Sequence, residues 1–264
     1  MARRALLARR ALLALALGAL LAGCITERGS VYTNPPSPEE AMRQRVELAR
    51  SYIGQGNWED AKRNLKIAVE LDDREPEIYE AFALVYQSTG EFELAEENYR
   101  EAISLDRDFS RARNNYAAFL FGQERYAEAE TQLERVVLDT LYEARPQAFV
   151  NLGLCRRALD KPELAEQAFA RALAMDRGNR IALLELAQLR LDAGDYAGAS
   201  DYYTGYRAAV RRQSARGLWL GIRLAQATGD RDAEGSYALA LRNLYPDSQE
   251  YAAWQRQQTE AGAP

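Results

Sequence analysis

Residues 146–179 read PQAFVNLGLCRRALDKPELAEQAFARALAMDRGN. The eighth position is Gly153, the twentieth Ala165 and the twenty-fourth Phe169. On either side of this stretch the alanine recurs, as Ala61, Ala95, Ala129, Ala165, Ala199 and Ala233, at spacings of 34, 34, 36, 34 and 34 residues. The frame predicts six repeats over 42–75, 76–109, 110–143, 146–179, 180–213 and 214–247. Each is expected to fold as helix A, a tight turn and helix B. The eighth position is small throughout: Ala49, Ala83, Ala117, Gly153, Ala187 and Gly221. Small residues at positions 8 and 20 let paired helices approach closely. Position 24 is bulky (Leu65, Tyr99, Leu133, Phe169, Tyr203, Tyr237) and reads as core. Gly56, Gly90 and Gly194 suit the left-handed end of helix A.

A 34-residue period marks the tetratricopeptide (TPR) repeat. The expected fold is therefore an all-α TPR superhelix of six helix-turn-helix repeats with a C-terminal capping helix. Such arrays bind proteins far more often than they catalyse. The two extra residues between repeats 3 and 4 fall in Asp139–Pro146 and are expected to alter the superhelix slightly. Asp247-Ser248-Gln249-Glu250 reads as a helix start capped by Asp247, with an acid three residues after it, and Tyr251 and Trp254 are expected to cover the last repeat.

The N-terminus has another character. Arg3, Arg4, Arg9 and Arg10 precede the apolar run 11–22, which is too short for a comfortable membrane span. The run ends in Leu21-Ala22-Gly23-Cys24, which resembles the bacterial lipobox. This predicts a lipoprotein signal peptide over 1–23 and lipid on Cys24. Residue 25 is Ile, so the Asp that signals inner-membrane retention is absent and the outer membrane is expected. Residues 24–38 contain Pro, Ser, Gly and Asn without helical periodicity, and read as a flexible lipid-anchored tether reaching about 50 Å when extended. The repeat domain with its cap is expected over 39–258, with first-turn acids at Glu39 and Glu40. A disordered tail is expected over 259–264.

Cleavage of 1–23 takes the formal charge from −5 to −9. An acidic chain argues against nucleic acid or anionic lipid as the main partner. Histidine is absent, which removes the commonest general base and metal ligand. Cys155 sits beside Arg156 and Arg157, which can lower a thiol pKa, but reads as an ordinary helix residue. Gly54-Gln55-Gly56 lacks the third glycine and preceding strand of a phosphate loop. The acidic residues read mostly as solvated helix faces. Glu96 is among them, and its reversal to Lys is expected to be near neutral. No catalytic residue, cofactor, metal or small-molecule substrate is expected.

In a TPR array helix A lines the concave face at positions 2, 5, 9 and 12. In repeats 3 to 6 these positions include Arg111, Asn114 and Phe121, then Val150, Leu154 and Arg157, then Ile181, Leu184 and Leu191, then Leu218 and Ile222. The apolar members predict a groove for an amphipathic helix or extended peptide; the alternative is that tight superhelical winding buries several of them against neighbouring helices. The two-carboxylate clamp of some TPR proteins is not matched, since Val46 and Arg50 stand where it requires Lys and Asn.

Lipobox, six repeats and cap together resemble the type IV pilus biogenesis/stability lipoproteins, the PilF/PilW pilotins. The more specific matches are Asn114-Asn115-Tyr116 with Arg125-Tyr126, and Asp139-Thr140-Leu141-Tyr142 with Asn151-Leu152-Gly153-Leu154. Others are Leu220-Gly221-Ile222-Arg223-Leu224-Ala225, and Leu244-Tyr245-Pro246 with Glu250-Tyr251. The resemblance implies an outer-membrane lipoprotein facing the periplasm. It would bind the pilus secretin and promote its localisation and multimerisation. The alternative is a TPR lipoprotein scaffold for another envelope assembly, such as peptidoglycan enzymes or outer-membrane protein insertion.

Overall fold

The computed structural model describes residues 36–261, and among these are thirteen α-helices and no strand. They pair as α1 (Pro38–Gly54) with α2 (Trp58–Leu71), α3 (Pro76–Thr89) with α4 (Phe92–Leu105), and α5 (Ser110–Gly122) with α6 (Tyr126–Val136). Then come α7 (Arg145–Ala158) with α8 (Pro162–Met175), α9 (Arg180–Asp192) with α10 (Tyr196–Ala209), α11 (Ala215–Thr228) with α12 (Arg231–Leu244), and the unpaired α13 (Gln249–Ala261). The predicted signal peptide, Cys24 and most of the predicted tether lie outside the described residues. No described helix is long and apolar enough to cross a membrane.

Across repeats, the first helices touch: α1 with α3, α3 with α5, α5 with α7, α9 with α11, and α11 with α13. Successive second helices stand apart. Helices that approach their equivalents occupy the inside of a curve. The A helices are therefore the concave layer of an all-α TPR superhelix.

The 34-residue frame appears directly in the packing. Ala49, Ala83, Ala117 and Ala187 at position 8 are buried, as are Ala61, Ala95, Ala129, Ala165 and Ala199 at position 20. Position 24 is buried in the first five repeats and only partly so at Tyr237 in the sixth. Each fully buried Leu or Phe of this kind contributes about 1.5–3 kcal/mol. Gly153 shows why position 8 must be small beside an aromatic ring. A Cβ there would lie 2.5 Å from Phe169 Cε1.

Helix starts separate into two groups. Ser37, Asn57, Asn179, Asp195, Ser214 and Asp230 each accept a first-turn backbone N–H, in α1, α2, α9, α10, α11 and α12. The six central helices, α3 to α8, have no such side-chain cap. Gly56, Gly90 and Gly194 take the expected left-handed conformation, but in repeats 3 and 4 Glu124 and Asp160 do so instead.

The two-residue insertion is absorbed locally. Helix α6 stops after 11 residues, where the other B helices run for 14. Ser110 Oγ donates to Asp139 Oδ2 at 2.6 Å, and Arg145 Nε donates to the Val137 carbonyl at 2.8 Å. One core cluster runs unbroken from Ala83 through this junction to Leu186. The segment puts Leu138 and Leu141 in solvent, 70% and 90% exposed.

At the far end, α13 takes the place of a next A helix. Tyr251 and Trp254 stack with centroids 5.8 Å apart and pack against Leu218, Ile222 and Leu241. Two details differ from expectation. Ser248, not Asp247, is the capping side chain, its Oγ accepting the Tyr251 N–H at 3.1 Å. The helix also continues past residue 258 to Ala261, into the stretch read as tail.

Candidate partner-binding surface

The concave layer is built from the A helices, so its chemistry follows from their inward residues. The apolar strip read from the sequence is divided by the packing. Val150, Leu218 and Ile222 are buried, and Leu184 and Leu191 keep only 8% and 7% of their surface. Val150 joins the central core, Leu184 and Leu191 the core of repeats 5 and 6, and Leu218 and Ile222 the core beneath α13. These five build the wall of the channel and offer a partner little area. The physical reason is superhelical winding, which presses each A helix onto the next. Phe121, Leu154 and Ile181 remain partly exposed. Phe121 and Leu154 line one small apolar cavity of about 110 Å³ with Ala118, Leu133 and Cys155.

The three polar candidates are engaged within the chain. Arg111 lies 3.0 Å from Glu77 and 3.7 Å from Glu80, and over the Phe109 ring at 5.0 Å. Asn114 Oδ1 accepts from Asn151 Nδ2 at 3.1 Å. Arg157 pairs with Glu185.

Those pairings expose residues that the sequence reading missed. Glu80 and Glu185 are 0% exposed, against the expectation that acids lie on solvated faces. Each sits on an A helix and receives an arginine from the A helix on either side. Glu80 pairs with Arg50 of repeat 1 and Arg111 of repeat 3, and accepts from Asn115 Nδ2 at 2.6 Å. Glu185 pairs with Arg157 of repeat 4 and with Arg216 of repeat 6, whose Nη2 donates at 2.9 Å. This contact holds the Arg216 guanidinium above its ordinary pKa. Each buried acid thus locks three consecutive repeats along the concave layer. The only signal in the sequence is an Arg in each flanking A helix, at no fixed repeat position.

A second set of acids links the repeats through the B helices. Glu96, Glu130 and Glu166 all occupy position 21 of their repeats. Glu96 accepts from Arg125 at 2.7 and 2.9 Å and from the Tyr116 hydroxyl at 2.8 Å. The Arg125 hydrogen bonds hold its carboxyl at about 2, well below the ordinary 4.5. Burial raises the Glu130 carboxyl, but Lys161 and Arg156 outweigh it and lower the pKa. Glu166 pairs with Arg190. Glu96 is therefore a junction residue and not part of a solvated face. Its reversal to Lys would set a cation against Arg125 and Arg100, so a loss of stability replaces the near-neutral outcome expected from sequence.

Cys155 is buried in the central core. Burial first, and then the Glu130 charge, push its thiol up to about 12, with Arg156 opposing weakly. The neighbouring arginines do not activate it. Among the described residues no three His, Cys, Asp or Glu side chains converge as metal ligands.

Tetratricopeptide-repeat family models match residues 46–86, 87–149 and 150–216. The type IV pilus assembly protein PilF of Pseudomonas aeruginosa is 38% identical over 248 residues, spanning 93% of this chain and 98% of PilF. The solved structure of P. aeruginosa PilF matches with a TM-score of 0.79 at 38% identity, covering 84% of this chain and 100% of that one. The crystal structure of PilW, a widely conserved type IV pilus biogenesis factor, matches with a TM-score of 0.72 at 27% identity, covering 81% of this chain and 98% of that one. The TPR protein YrrB shares the fold at 18% identity and a TM-score of 0.59, covering 73% of this chain and 97% of that one.

Proposed function

Because this chain belongs to the PilF/PilW family of TPR proteins of type IV pilus biogenesis, we propose that it acts as a pilotin. In this reading Cys24 carries lipid that holds the protein at the periplasmic face of the outer membrane. The superhelix binds the pilus secretin and promotes its delivery and multimerisation. The observation that carries the reading is the near full-length 38% identity to a pilus assembly protein, with a lipobox-like Leu21-Ala22-Gly23-Cys24 ahead of the repeats.

The mechanism is binding without bond chemistry. Several acyl chains on one cysteine give stable anchoring where one gives marginal binding. The buried ion locks and alanine crossings keep the concave channel in one shape, so little conformational entropy is lost when a partner docks. Phe121, Leu154 and Ile181 supply the apolar contacts, and Asn114, Arg111 and Arg157 border them.

The test is Cys24→Ser in cells that make the pilus. The expected result is protein lost from the outer-membrane fraction, and secretin that fails to form its multimer there. Normal fractionation with an intact acyl mass on the variant would overturn the anchor. Full secretin multimers in a strain lacking the protein would overturn the pilotin role.

A further inference from the structure

Where repeats 5 and 6 meet, a recess of about 650 Å³ opens between α9, the end of α10 and the start of α11. Ile181 and Val210 are its partly exposed apolar lining, Leu184 is nearly buried there, and Arg180, Arg211 and Arg212 line it as well. All three arginines are exposed, and none makes an ion pair among the described residues. The one acid that lines the recess, Glu185, is already held by Arg157 and Arg216. Arg212 is steadied over the Tyr245 ring, 5.1 Å from its centroid. The positive end of α11 opens at the same place. Three unneutralised cations around one hollow are out of keeping with a chain whose net charge is −5.

We propose that this recess binds an acidic segment of extended polypeptide, its carboxylates meeting Arg180, Arg211 and Arg212 and its apolar side chains resting on a floor of Ile181 and Val210. The volume falls in the range of small-ligand sites. Arginine forks match carboxylates in planar, two-point contacts. An extended chain puts successive side chains on opposite sides, so an acid and an apolar residue in alternation satisfy rim and floor together. A bilayer surface reaches the rim but not the floor of a recess. The site shares Ile181 and Leu184 with the concave channel, and it does not depend on the secretin being the partner.

The experiment follows the fluorescence anisotropy of a labelled octapeptide of alternating Glu and Leu, titrated with the full-length chain and with Arg180→Glu/Arg211→Glu. An alternating Lys-Leu octapeptide is the charge control. The expected result is saturable binding of the acidic peptide only, weakened at least about tenfold in the double variant and steeply reduced by salt. The melting temperature should not change, because neither arginine holds an internal ion pair. If it does fall, Arg212→Gln carries the test, with an expected weakening of about threefold. No saturable binding, or equal binding by these variants, overturns the proposal. Phosphatidylglycerol vesicles are compared with the same chains by sedimentation, and equal sedimentation is expected. Loss of vesicle binding in the double variant, with peptide binding unchanged, overturns it in favour of a membrane site.

Discussion

The junctions joining repeats 2 through 5 and the junction between repeats 5 and 6 solve one packing problem in two ways. In the first group position 21 is Glu96, Glu130 or Glu166, each bound to a base of the following repeat. At the last junction position 21 is Ser200, and aromatic packing replaces the B-helix ion link, while Glu185–Arg216 and Asp192–Arg223 pair across it through the A helices. Tyr203 and Tyr206 press on the backbone of α11, where Cβ atoms at Gly217 and Gly221 would overlap their hydroxyl groups. Position 16 varies independently of this division, since Asp195 stands at the ion-linked junction of repeats 4 and 5. Arg125 and Lys161 reach back to the preceding repeat and leave α6 and α8 uncapped. Asp195 in the same place caps α10 instead. Arg and Lys only donate hydrogen bonds, so they cannot accept a helix N–H. The period fixes where a residue stands, and its chemistry decides whether it holds its own helix or the neighbouring repeat.

The largest effect is expected where shape alone governs. Gly221→Val should cost about 3 kcal/mol by overpacking Tyr203 and Tyr237, read from urea unfolding. A loss within about 0.5 kcal/mol, the range of an ordinary surface substitution, would show that aromatic packing does not hold the last junction. Ala165→Leu, at a close α7–α8 crossing, should cost about 1–3 kcal/mol. An unchanged melting temperature there would contradict the repeat register.

The ion-linked junctions are set apart by their response to pH. Glu96→Gln should cost about 1–2 kcal/mol at pH 7, as expected for a charged hydrogen bond that is one-fifth exposed. The Glu96 carboxyl is depressed to about 2, so its contribution is complete above its ordinary 4.5 and fades as the pH falls towards 2. The difference between wild type and variant should therefore close across that window, while the Gly221→Val difference persists. A Glu96→Gln difference that stays constant down to pH 2 would assign the effect to packing. The smallest expected effect is Cys155→Ala, about 1 kcal/mol in stability with pilus function retained. A well-folded Cys155→Ala protein that has lost function would show that the thiol has a role.

Sequence and structure agree where size or turn geometry recurs at one repeat position, but not at the recurring Glu of position 21, whose partners lie in the next repeat. The alanine crossings, the bulky position 24 and the left-handed turn glycines were legible from such recurrence, and the cap aromatics because the end of a solenoid must be covered. Glu80 and Glu185 were not, because their arginine partners lie on other repeats and the arrangement occurs only twice among the described residues, so no repeat position marks them. The apolar strip was only partly legible for a related reason. Helix periodicity shows that Val150 and Ile222 face inward, but not how closely the next helix approaches them. Leu141 carries no periodic signal, being one leucine in an insertion, yet it is the most exposed large apolar side chain among the described residues.

The concave channel and the inserted segment are two places where apolar surface meets solvent beside the central repeats. A photo-crosslinking side chain placed at Leu154 in the channel, or at Leu141 on the insertion, tells them apart in cells that assemble the pilus. The trapped partners are identified by mass spectrometry. If the channel is the binding surface, Leu154 captures the pilus secretin and Leu141 does not. Secretin captured from Leu141 alone, or from neither position while pili assemble normally, would contradict it.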